Sequence, residues 1–245
     1  MKILGHELSS NAMAFISGHE EHLNKKWRFD GLPVDYPFWG ELNHDDNFYV
    51  IFAKANIPGE AFDAVFCHEF YHAFQISKGF PRVIANSTET GDISVYTDRL
   101  TCAVLDLSAD NAVKEYNIDN SFVVKQRYRQ LKDLSRGSFS MCNTPFGKDL
   151  LAVDLIIDLH GAASGQKTLI LQELKKSLPD VYEMYNYFMD KINEHGFDTP
   201  QGCLKIFGDI IDYVNLWEFC HIDYVENQIR SLEQFRNTIK GLEAP

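Results

Sequence analysis

Apolar residues recur at helical spacing through Ala61, Phe62, Val65, Phe66, Phe70, Ala73 and Phe74, which predicts an amphipathic helix with one buried stripe. Asn56 is a favourable N-cap, Pro58 suits the first turn, and Glu60 and Asp63 favour the positive end of the helix dipole. Gly79 and Pro81 supply the stop. Upstream, residues 47–53 are rich in aromatic and β-branched side chains and read as a strand. A second long helix is expected over residues 94–116, with Leu100, Ala103, Val104 and Leu107 on its buried face. Residues 149–160 carry Leu or Ile on nearly every side, which predicts a buried helix ending at Gly161. Further helices are expected over 166–177, 180–194, 201–213 and 216–242, separated by Pro179 and the turn at 195–200.

These elements predict an α+β chain that is mostly helical. A small N-terminal antiparallel or mixed sheet would lie beside the first long helix, and a helical C-terminal half would close the other wall of a cleft. No Pro-, Gly- or Ser-rich linker forces a boundary. The expected organisation is therefore residues 1–140 and 141–245 within one compact unit, with a hinge near 135–145.

Composition narrows the functional classes. The 245 residues carry a formal charge of −12, which argues against nucleic acid or an anionic membrane as the main partner. A neutral or basic peptide fits better. No run of eighteen apolar residues predicts a membrane span. The first ten residues lack the apolar core of a signal peptide. Five cysteines are scattered singly, which favours reduced thiols, and the expected location is cytoplasmic.

The candidate chemistry lies inside the first long helix, where His68-Glu69-Phe70-Tyr71-His72 reads H-E-x-x-H. On a helix, positions i and i+4 share one face, so both imidazoles can address one ion with Glu69 beside them. With nine His in 245 residues, this composition produces the pattern by chance only about 0.02 times. Such a set suits a metal that activates water, with zinc the best match to two His and a carboxylate. His68 and His72 are the expected ligands and Glu69 the general base.

The H-E-x-x-H core, one short loop after a strand, resembles the zincin metallopeptidase pattern over about residues 45–116. The resemblance implies a strand at the sheet edge beside the active-site helix, for which residues 47–53 are the candidate, and a donor, often Tyr or His, that stabilises the oxyanion. The long metzincin signature is absent: Ala73, Phe74, Gln75, Ile76, Ser77 and Lys78 follow the second His. No N-E-x-x-S-D motif of the gluzincin type is found either.

A catalytic zinc needs a third protein ligand. Asp110 continues the buried stripe of the second helix, where an unpaired carboxylate would be costly, so it is the first candidate. Asp106 lies one turn earlier and slightly off that stripe; Glu89, in a polar run, and Glu115 are further alternatives. Tyr71, Tyr96, His160 and His221 are unranked candidates for the oxyanion donor. Asp154 and Asp158, spaced i and i+4, form either a paired-acid site or, as the better reading, a solvated stripe. His19 and His22 also share a helix face but read as surface, and Cys67 reads as packing. The leading expectation is a zinc-dependent peptidase. The alternative is a zincin-like regulatory or peptide-binding protein whose metal is structural or sensory.

Overall fold

In the computed structural model, residues 1–88, 91–137, 139–142, 144–225 and 227–243 are described. The architecture is α+β and mostly helical, as the sequence pattern implied. Contacts divide the chain into two compact units, and the division does not follow the two halves of the sequence. One unit comprises Met1–Lys78 with Ser108–Lys125, the other Gly79–Leu107 with Gln126–Pro245.

The first unit opens with a two-residue ladder, β1 (Lys2–Ile3) on β2 (His6–Glu7), and helix α1 (Ser10–Glu20). Ser9 caps α1 by accepting a hydrogen bond from the Ala12 backbone N–H. Strands β3 (Lys26–Leu32), β4 (Gly40–His44) and β5 (Phe48–Lys54) form a mixed sheet in the order β3-β5-β4. β5 runs parallel to β3 and antiparallel to β4. The strand expected over 47–53 is therefore present, but it is central, with Tyr49, Val50, Ile51 and Ala53 buried. This corrects its candidacy as the edge strand: both of its hydrogen-bonding edges are already occupied.

Helix α2 (Gly59–Ser77) follows, with Pro58 in the cap position and no side-chain cap; Asn56 does not serve as N-cap. Phe62, Phe66 and Phe70 are fully buried along one stripe, and Trp27 of β3 meets Phe66 and Phe70 edge-on. Burying each such ring stabilises the unit by roughly 2–3 kcal/mol. The helix ends at the predicted signal: Gly79 adopts φ +73°.

After β6 (Arg82–Ala85) comes α3 (Asp92–Glu115), whose last two turns from Ser108 onward belong to the first unit. Helix α4 (Ser121–Arg136) begins in the first unit and continues into the second. No element was expected there, because charged residues dilute its apolar face and Leu131 is its one fully buried apolar side chain. In the second unit α5 (Pro145–Asp158), α6 (Ser164–Ser177), α7 (Pro179–His195) and α8 (Pro200–Tyr213) pack around Leu155, Leu174, Phe188 and Phe207. Thr144 and Thr199 cap α5 and α8, each with proline in the first turn.

The helix expected over 216–242 is corrected. β7 (Cys220–Tyr224) and β8 (Asn227–Ile229) precede a shorter α9 (Leu232–Glu243). β7 pairs antiparallel with both β6 and β8, and three consecutive buried residues, Cys220, His221 and Ile222, fit a strand covered on two faces. Asn215 takes φ +56°, a left-handed conformation that ends the preceding helix. No helix among the described residues is long and apolar enough to cross a membrane.

Candidate metal centre

Mid-way along α2, residues 68–72 keep regular helical geometry because the Phe62–Phe66–Phe70 stripe anchors the opposite side. His68 and His72 are half-buried, with ring centroids 4.9 Å apart and planes nearly perpendicular at 87°. The His68 Nδ1–H donates to Asp110 Oδ1 at 3.0 Å, and Asp110 is only 2% exposed. The His72 Nδ1–H donates to Gln75 Oε1 at 2.7 Å, and the Gln75 amide donates in turn to Ser108 Oγ at 2.6 Å. Gln75 is fully buried and Ser108 is 2% exposed. Both imidazoles therefore have the Nδ1 hydrogen bond that fixes tautomer and ring orientation for ligation through Nε2.

Among the described residues, His68, His72 and Asp106 form a group able to hold a metal ion, each offering one ligand atom, all within 4.8 Å of one another. Ligands ~2.0–2.1 Å from a tetrahedral zinc lie about 3.3 Å apart. The donor set, two imidazoles and one carboxylate, fits such an ion. Asp106 sits one turn before Asp110 on the continuous helix α3, and Arg127 Nη2 of α4 lies 3.6 Å from its Oδ2. Asp110, the first candidate from the sequence, stands outside this group. Its carboxylate is engaged by His68, and that hydrogen bond offsets the cost of burying it. Glu89 lies outside the described residues. Glu115 is the last residue of α3, on an exposed turn.

Glu69 is half-buried, and β4 runs directly against it. A Cβ at Gly40 would stand 2.6 Å from Glu69 Cγ and 2.9 Å from its Oε1. Only glycine permits this approach, so the strand next to the helix shapes the space in which the carboxylate sits.

The other candidates are placed less suggestively. Tyr71 lies with its ring against Phe74, Phe15 and His19, on the α1 side of α2. Tyr96 is 2% exposed in the core of the second unit, where burial pushes its hydroxyl far above the ordinary range. The His221 Nδ1–H donates to Asn86 Oδ1 at 3.1 Å, and its Nε2 lies 3.5 Å from Asp223. His160 follows the end of α5. His19 is half-buried rather than on the surface; its Nδ1–H donates to the Phe15 carbonyl at 2.8 Å, and burial lowers its pKa. His22 is exposed, as expected. Cys67 is buried, and its thiol is pushed well above the usual range by burial, in keeping with a packing role.

Asp154 and Asp158 do not form a solvated stripe. Burial raises both, Asp158 to about 7 with help from Asp154, while Arg127 and Arg99 pull the other way. The sequence missed Gln75, Ser108, Gly40 and Arg127. Gln75 alone left a signal: on a helix it lies three residues from His72 and seven from His68, on the same face as both.

Comparison of the chain with protein-family models, with curated proteins and with solved structures finds no match to any of them.

Proposed function

We propose that the chain is a zinc-dependent hydrolase acting on peptide bonds. The observation that carries this reading is the convergence of His68, His72 and Asp106, with Glu69 between the two histidines on the same helix. In this reading His68 and His72 ligate through Nε2 and Asp106 supplies the third ligand. Asp110 and Gln75 hold the two rings from behind. When bound, zinc supplies a water of pKa ~7 and polarises the substrate carbonyl. Glu69 accepts the proton of the attacking water and delivers it to the leaving amine. Gly40 lets the strand backbone lie against that carboxylate and limits its motion.

The net charge of −12 favours a neutral or basic peptide and disfavours nucleic acid or an anionic membrane as substrate or platform. Five cysteines scattered singly along the sequence are consistent with a reducing, cytoplasmic setting.

The test is zinc content together with cleavage of a mixture of unstructured peptides, read by mass spectrometry. Glu69→Gln is expected to keep zinc and lose turnover by about 10²–10⁴-fold. Wild-type turnover in Glu69→Gln would overturn the assignment of the base. Stoichiometric zinc with no cleavage of any peptide would favour a structural or sensory metal.

A further inference from the structure

The ion pair between Asp106 and Arg127 sets a ligand carboxylate against a guanidinium in a site where neither is cheap to keep. Their side chains are 17% and 15% exposed, and Arg127 Nη2 lies 3.6 Å from Asp106 Oδ2. Taking a guanidinium this far out of water is costly unless acids surround it. Arg127 has them: Asp106 on α3 directly, and Asp158 on α5, whose titration it lowers. Asp106, Arg127 and Asp158 all lie within the second unit.

We propose that Arg127 is a positioning residue for the metal centre, holding the Asp106 carboxylate by one oxygen so that the acid meets the ion through the other. The inference rests on the reading of Asp106 as the third ligand. A carboxylate left to itself can chelate with both oxygens, which would fill the position that a catalytic site keeps open for water. A guanidinium is suited to prevent this. It stays charged at any working pH, its planar fork fixes the carboxylate plane, and it cannot itself ligate. Residues behind the ligands thus divide the work: Asp110 orients His68, Gln75 orients His72, and Arg127 orients Asp106.

The experiment uses the full chain, stripped with a chelator and titrated with Co²⁺, whose visible absorption reports coordination number. Wild type, Arg127→Met and Arg127→Lys are compared, with thermal unfolding recorded in parallel. Arg127→Met is expected to bind Co²⁺ about 10-fold more weakly. Its molar absorptivity should fall about twofold as coordination rises from four towards five. Arg127→Lys, which keeps the charge without the fork, should recover affinity but not the full spectrum. Should Arg127→Met fail to fold, the Arg127→Lys spectrum decides. Lowered melting temperatures with wild-type spectra and affinities in both variants would overturn the proposal, leaving Arg127 as a tie between helices. Wild-type protein that takes up no Co²⁺ would instead overturn the metal centre itself.

Discussion

Replacing Gly40 by alanine probes how β4 controls the proposed base. The backbone at Gly40 lies outside the left-handed region, so alanine is conformationally permitted and the effect is purely steric. The new Cβ would stand 2.6 Å from Glu69 Cγ, 2.9 Å from Oε1 and 3.0 Å from Val65 Cγ1. Carbon atoms prefer ~3.5–4.0 Å, so Glu69 must retreat by about 1 Å. Val65, itself 4% exposed, blocks a simple sideways slide of the strand. Overpacking of this kind costs roughly 1–3 kcal/mol of stability. A base displaced by ~1 Å from a reacting water loses about 100-fold in turnover. Zinc content should not change, because the atoms nearest the new Cβ belong to Glu69 and Val65. The assay pairs peptide hydrolysis with metal analysis and chemical unfolding. Wild-type turnover and stability in Gly40→Ala would refute the claim that β4 positions Glu69, and loss of zinc would show that the strand supports the ligands instead.

Two further outcomes follow from named contacts. Gln75→Leu removes the acceptor for His72 Nδ1 and the donor to Ser108; isothermal titration should show zinc affinity lowered about 10–100-fold, and unchanged affinity would mean that the ring needs no such support. Asp158, raised from 3.8 to about 7 in the folded protein, binds its proton more tightly folded than unfolded. The wild type therefore loses stability as pH rises from about 4 to about 7, by at most about 4 kcal/mol. Asp158→Asn should be the more stable protein at pH 8, with the advantage fading as pH falls through that window. Urea unfolding at pH 8 and pH 5 measures this, and a pH-independent difference would contradict it.

Much of the frame was legible in the sequence because it depends on local signals. The Phe62–Phe66–Phe70 stripe, Gly79 at the helix stop and the Leu100–Leu107 face of α3 each follow from periodicity and backbone chemistry. β7 and β8 were not legible: His221 and Ile222 become strand only because β6 and β8 flank them, and pairing across the chain leaves no local trace. The same limit governs the proposed third ligand. The sequence rightly indicates that a buried acid at Asp110 needs a strong partner, but cannot tell an imidazole N–H from a metal ion. Asp106, one turn away, carries no distinguishing mark until His68 and His72 are brought beside it. Asp154 and Asp158 looked solvated because their spacing matches an exposed stripe. The arginines facing them come from α3 and α4, and the association of separate helices is not written in the i, i+4 pattern.

The central claim is that His68, His72 and Asp106 together bind one divalent metal ion while Asp110 supports His68 from behind. Zinc stoichiometry and affinity, measured on wild type, Asp106→Ala and Asp110→Asn, test it most directly. Wild type should hold one zinc per chain, Asp106→Ala should lose it, and Asp110→Asn should retain it with affinity lowered about 10–100-fold. Full zinc occupancy in Asp106→Ala, or its abolition in Asp110→Asn alone, would contradict the account.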